Sequence, residues 1–236
     1  MNYGFDFSFV TEFWPSLLEG AWLSIKMSVL SIALGFLFGV ALAIAKTEGG
    51  RFLKGATTAF VDITRNTPLI VQAFWLFFGL AALQIRVPAF YAAIVALTIN
   101  TSGYTCEIVR AGMDSVHKGQ KEAAACLSFT KAQVLRYIVL PQAVEKMYPA
   151  LVSQFVLMML ASSIMSQISA EELTAVGYQI QSQTFRGFEV FIIIAVIYVF
   201  LSWLLRVSMN ACYDMAFPKA KNIERNSRAA RQELGS

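Results

Sequence analysis

The sequence predicts an all-α integral membrane protein with about five transmembrane helices. Three observations carry this. Of 236 residues, 57% are hydrophobic and only 14% are charged, with a mean hydropathy of +0.58, outside the usual soluble range. Apolar runs near or above about 18 to 20 residues recur, long enough to span a bilayer as helix. The basic residues also fall on one side of those runs. Lys46, Arg51, Lys54 and Arg65 share a side with Arg110, Lys118, Lys121, Lys131, Arg136 and Lys146. Arg206, Lys219, Lys221, Arg225, Arg228 and Arg231 join them, leaving Lys26, Arg86 and Arg186 for the other side. The positive-inside rule places the first set in the cytoplasm. Five spans then leave the N-terminus outside and the C-terminus inside.

Taken in order, Phe7 to Glu19 mixes Phe9, Phe13, Trp14 and Leu17 with Glu12 and Glu19, which predicts an amphipathic segment lying in the interface. Met1 to Phe9 shows no basic residue and no cleavage pattern, so no signal peptide is expected. Ala21 to Ala45 is the first span. Gly35 and Gly39 sit four apart on it, a spacing that permits close helix contact, although glycine is also tolerated in membrane helices without such a role. Lys46 to Arg65 is a polar connection. Thr67 is placed to cap the next helix, with Pro68 at its first position. Leu69 to Leu83 is its apolar body and carries Gln72.

The third span runs from about Ala89 to Gly112. Asn100, Gly103, Tyr104 and Glu107 share one of its faces. A polar face inside a membrane either points into a cavity or bonds a neighbouring helix. On the second alternative Glu107 pairs with Arg110 at the interface. Met147 to Ile168 is the fourth span, rich in Ser153, Gln154, Ser162, Ser163, Ser166 and Gln167. Serine can also bond its own helix backbone, so packing is the alternative to pathway lining there. Ser169 to Arg186 is expected as a polar loop, Phe188 to Met209 as the last span, and residues 218–236 as a charged, loosely ordered cytoplasmic tail after a transmembrane domain of residues 1–217. Cys106, Cys126 and Cys212 show no metal-like spacing, and no metal site is expected.

Between the third and fourth spans lies a cationic interruption, about residues 114–141. Gln120-Lys121-Glu122 opens the alanine run Ala123-Ala124-Ala125, which favours helix, and Pro141 is expected to end a second short helix. Composition alone gives an amphipathic surface loop. The order of residues gives more. Glu122-Ala123-Ala124, then Ser128, then Ile138-x-Leu140-Pro141, resembles the EAA loop of ABC importer permeases, with serine where that family has glycine. A tight turn of positive φ suits glycine and strains serine. Arg65-Asn66-Thr67-Pro68-Leu69 resembles the Arg-Gly-Thr-Pro-Leu of polar amino-acid ABC importer permeases, the histidine/glutamine/arginine group. Tyr104-x-x-Glu107-Ile108-x-Arg110, Gly119-Gln120, Pro141-Gln142-Ala143 and Pro149 fit the same family, and the match covers about Ser24 to Leu173. One departure stands out. Leu160-Ala161-Ser162-Ser163-Ile164 lacks the lysine and the acid or amide that the family often carries there.

The resemblance implies a type I ABC importer permease fold in a bacterial inner membrane. It implies that Gly119, Gln120, Glu122, Ala123, Ala124, Ser128, Leu140 and Pro141 couple to an ATPase. The chain itself is expected to bind no cofactor and to be no enzyme, because it holds no Gly-x-x-x-x-Gly-Lys-Ser/Thr phosphate loop. ATP-Mg would sit on two cytoplasmic ATPase subunits. A second permease chain, the same or different, and an extracytoplasmic substrate-binding protein complete the implied assembly. No nucleic acid is expected. The polar groups available to an amino-acid pathway are Gln72, Asn100, Tyr104, Glu107, Gln154, Ser162, Ser163 and Gln167. Rival readings are a permease for another small organic solute, such as an opine, or a self-contained ion-coupled carrier. The halves show no internal repeat of the kind such carriers carry.

Overall fold

The computed structural model describes residues 4–216, and every regular element among them is a helix. The elements are α1 (Phe9–Glu48), α2 (Arg51–Asn66), α3 (Leu69–Ala82), α4 (Ala89–Asp114), α5 (Lys118–Cys126), α6 (Lys131–Ile168), α7 (Leu173–Thr184) and α8 (Gly187–Ala216). Helices α1, α4, α6 and α8 are long and apolar enough to cross a membrane. Helix α3, in the place of the expected second span, is shorter, about 21 Å against a hydrocarbon core of about 30 Å. The tail of residues 218–236 lies outside the described residues.

Helix α4 stands in the middle, packed along α1 on one side and against α2, α3 and α6 on others. Small residues explain how close α1 comes. A Cβ built on Gly35 would lie 2.5 Å from Thr101 Cβ, and one on Gly39 would lie 2.5 Å from Thr105 Cβ and 2.9 Å from the Ser102 carbonyl oxygen. The Gly35/Gly39 spacing is therefore a close-contact seam. Ser24, Ser28, Ser31 and Ala43 extend the buried small-residue side of α1. A third close approach joins α4 to α6, where Gly112 meets Met147 and the Ala143 carbonyl.

Several local expectations are corrected. Phe7 to Glu19 is not a separate segment. From Phe9 onward it is the first quarter or so of α1, with Phe9 and Leu17 buried against α7 and α8. The connection Lys46 to Arg65 contains helix α2, whose Thr57, Val61 and Thr64 face inward. Thr67 closes α2 rather than capping α3: its hydroxyl donates to the Ile63 carbonyl. Pro68 stands at the cap position instead, one residue ahead of Leu69.

Pro141 does not stop a helix either. It cannot donate to the carbonyl four residues back, so a π turn over Leu135–Val139 precedes it and Leu140 N–H reaches the Leu135 carbonyl. Helix α6 thus runs unbroken from Lys131 to Ile168. The loop Ser169 to Arg186 contains α7. Glu172 caps it, accepting from the Thr174 and Ala175 backbone N–H groups at 2.9 and 3.0 Å. That carboxylate is fully buried and also accepts from Ser24 of α1 and Tyr198 of α8. Burial pushes its carboxyl above the ordinary range, against the pull of those donors. An acid in a supposed loop is the hub joining three helices.

The seam makes a sharp expectation. Gly39→Val should destabilise the purified protein by more than the ~1–3 kcal/mol typical of overpacking and lower its thermal midpoint strongly, because the obstructing atoms include backbone. Gly55→Ala, with nothing within 4 Å of the new Cβ, should raise stability by about 0.5–1 kcal/mol. Equal midpoints for the two variants would mean that α1 and α4 do not meet through this seam.

Candidate functional site

Two features lie at the ends of α4 and α6. The first is an open cleft of about 460 Å³. The Arg65–Leu69 elbow between α2 and α3 forms one wall. Asn100 and Tyr104 of α4 form another, and Gln154, Leu157, Met158, Ala161 and Ile164 of α6 close it. Asn100 is 4% exposed and Gln154 is 9% exposed, yet among the described residues neither amide has a hydrogen-bond partner. Both amides open onto the cleft, where their donors and acceptors are free to meet a polar solute.

Of the eight polar residues expected on a pathway, the structure brings Asn100, Tyr104 and Gln154 together. The others stand elsewhere or bond to the chain itself. Gln72 Nε2 donates to the Thr64 and Thr67 carbonyls at 2.8 and 2.9 Å, which braces the α2–α3 elbow from behind. Ser162 and Ser163 donate to the carbonyls of Met159 and Leu160, both at 2.7 Å, so they bond their own helix. Gln167 is exposed at the end of α6. Glu107 faces a charge cluster: Lys46 Nζ at 2.7 Å, Arg110 Nη2 at 2.9 Å and Arg65 Nη1 at 3.9 Å. Arg110 reaches on to Asp114 at 2.8 Å. Pairing with Arg110 is thus the reading of Glu107 that the structure supports. Arg65, Asn66 and Thr67 line the cleft but were expected only as a helix start. Their polar character beside an apolar run was the available signal.

The second feature is the loop between α4 and α6. Helix α5 begins at His117, whose Nδ1 accepts from the Gly119 backbone N–H at 3.1 Å. It ends in a left-handed turn at Ser128, φ 61°. Ser128 N–H donates to the Ala125 carbonyl and Phe129 N–H to the Ala124 carbonyl, a paired C-terminal cap that normally places glycine at the turn. Serine there costs roughly 1–2 kcal/mol. Thr130 and Gln133 then form a reciprocal cap that starts α6. Glu122, Ala123, Ala125, Cys126 and Leu127 are exposed, whereas Ala124 is buried at 3%. Ala124 therefore shapes the loop from inside, and the face open to a partner belongs to its neighbours. Leu140 and Pro141 are exposed as well, on the outer side of α6.

Polar contacts pin the loop to both helices. Gln142 Nε2 donates to Gln120 Oε1 at 2.8 Å, and Lys146 Nζ to the Ser115 carbonyl at 2.8 Å. With the Gly112–Met147 approach, these make α4, α5 and α6 one joint. The helices that enter and leave this joint are the same two that carry the unpartnered amides of the cleft.

Comparison with known proteins gives consistent results. The sequence pattern of a family described as "Binding-protein-dependent transport system inner membrane component" matches residues 35–222. The chain is 34% identical over 203 residues to the glutamine transport system permease protein GlnP of Escherichia coli K12, covering 85% of this chain and 93% of that one. It is 32% identical to the nopaline transport system permease protein NocM of Agrobacterium fabrum, covering 91% and 98%. A crystal structure of an amino acid ABC transporter with histidines superposes with a TM-score of 0.83 at 35% identity, covering 89% of this chain and 98% of that chain. An inward-facing MetNI methionine ABC transporter superposes with a TM-score of 0.73 at 21% identity, covering 85% and 96%, a likeness of fold.

The cleft amides can be tested directly. In Gln154→Met and Asn100→Leu no protein hydrogen bond is lost and the amide atoms already open onto the cleft, so the thermal midpoint should change little. ATP-driven uptake by the assembled transporter should fall by about tenfold or more if each amide meets a ligand group. Unchanged uptake in both variants would remove the amides from the pathway.

Proposed function

The chain belongs to the binding-protein-dependent transport system inner membrane component family, and from that membership we propose the role it plays: the membrane-spanning subunit of an ATP-driven importer of polar amino acids. Its architecture is that of type I ABC importer permeases. Two permease chains form the pathway between them, and two cytoplasmic ATPase subunits hold ATP-Mg. An extracytoplasmic protein delivers the solute. The chain itself carries out no chemical step. It sits in the bacterial inner membrane with the α4–α6 loop in the cytoplasm.

The observation that carries this reading is the joint. Helix α5 exposes Glu122, Ala125 and Cys126 on one face, at i, i+3 and i+4, with Ala123 exposed on the other side of buried Ala124. Gln120–Gln142 ties it to α6 and Lys121 reaches the Met113 carbonyl of α4, while Lys146–Ser115 and the Gly112 approach hold α6 to α4 beside it. Closure of the ATPases displaces α5, and both walls of the cleft move with it. The cationic ends agree with this orientation. Lys46, Arg65, Arg110 and Lys146 gather near the joint, and Arg186 pairs with Asp6 elsewhere, where Phe5 meets Phe188 at the start of α8. Amino-acid specificity is supported by the glutamine, arginine and histidine named for the relatives. An opine is the second reading, because nopaline and octopine permeases align over 91% and 92% of the chain.

Native Cys126 lies exposed on α5 and reports both docking and topology. In a Cys212→Ser background, an impermeant maleimide should label Cys126 in inside-out vesicles and not in right-side-out ones. The bound ATPase should protect it. A cysteine at Ser182 should show the opposite sidedness. Labelling of Cys126 from outside, or equal labelling with and without the ATPase, would contradict the proposed arrangement.

A further inference from the structure

Arg65 occupies a position that the importer reading does not explain. It lines the cleft that holds Asn100 and Gln154, where it is the only charged residue among the lining residues, and it also lines a second groove of about 380 Å³ toward the joint. That groove contains Glu107, Arg110 and Lys146. Arg65 thus stands between the two spaces.

Its present partners hold it loosely. Glu107 lies 3.9 Å away, beyond hydrogen-bonding distance, and is already served by Lys46 at 2.7 Å and Arg110 at 2.9 Å. The guanidinium rests over the Tyr104 ring, 5.4 Å from its centre, and the side chain is 40% exposed. A guanidinium presents a planar fork of donors suited to a carboxylate, which it grips at about 2.7–2.9 Å. The unpartnered amides of Asn100 and Gln154 offer neutral donors and acceptors across the same space.

We propose that Arg65 is the carboxylate-binding residue of the cleft, giving up its weak contacts with Glu107 and Tyr104 when a solute bearing an α-carboxylate arrives. The inference rests on the reading of this cleft as the transport pathway. It gives release a route: Arg65 borders both the cleft and the groove, so a rotation toward Glu107 surrenders the carboxylate at the groove's mouth. Glu107 is the competitor that the solute must displace and that later displaces it.

The test is equilibrium binding to the purified permease–ATPase complex without the extracytoplasmic protein. The probes are L-glutamine, L-arginine and the α-amide of each. Wild-type complex should bind at least one of the free acids about tenfold or more tightly than its amide. Arg65→Gln should bring that ratio close to one, with the amide still bound, and Arg65→Lys should restore part of it. Assembly of each variant is checked by size-exclusion recovery of the whole complex. If Arg65→Gln keeps the wild-type ratio, or loses acid and amide alike, Arg65 is not the carboxylate anchor, while the cleft remains a binding site. If wild-type complex binds none of the four probes, the pathway reading of the cleft falls and the anchor falls with it.

Discussion

The bundle depends on how closely α1 can approach α4. Gly35 and Gly39 leave no room for a Cβ against Thr101 and Thr105, and that contact holds α4 upright at the centre. Lipid tails are as apolar as leucine, so burying apolar surface gives no net drive to pair helices in a membrane. Close van der Waals packing through small residues does. With α4 fixed, its outer faces are free for other uses. One meets the α2–α3 elbow, one meets α6, and the space between them is the cleft. The cleft is a consequence of where α4 stands, and its chemistry follows from which α4 residues face that way.

The same helix connects that chemistry to the end where α5 lies. Helices α4 and α6 converge again at Gly112 and Met147, and side chains tie α5 to α6 through Gln120–Gln142 and to α4 through Lys121 and the Met113 carbonyl. A rigid joint below and an open cleft above give a lever. Glu107, with Lys46 and Arg110, clamps α1 to α4 just above the joint, so a push on α5 is transmitted to α1 as well. Helix α7, anchored by buried Glu172, Ser24 and Tyr198, holds α1 and α8 together independently of the joint. One part of the chain is built to move as a body, and another to brace the bundle around it.

Much of this was legible from residues. The polar face Asn100–Tyr104 and the Gly35/Gly39 spacing follow from helical geometry, and the tight turn at position 128 from the glycine that the resembling family carries there. The serine at 128 adopts φ 61° because the paired backbone cap of α5 holds it there. What was not legible has a common physical cause: side-chain hydrogen bonds to local backbone. Ser162 and Ser163 look like pathway residues by polarity but are satisfied within one turn of their own helix. Gln72 looks the same and is consumed by two carbonyls of the elbow. Pro141 looks like a helix end, but a π turn absorbs its missing donor. Glu172 looked like loop polarity because nothing in its neighbours reveals Ser24 or Tyr198, 148 and 26 residues away.

The central claim is that the α4–α6 loop and the cleft walls of one chain move as one body. Paired spin labels at Cys126 and at a cysteine replacing Leu157, with Cys212 changed to serine, measure it inside a single permease chain of the assembled transporter. Between the nucleotide-free and ATP-trapped states the account predicts an unchanged distance within the chain, while labels at Leu157 in the two permease chains change their separation. A within-chain distance that shifts as much as the between-chain one would show that α5 swings on its own, and would contradict the joint on which the account rests.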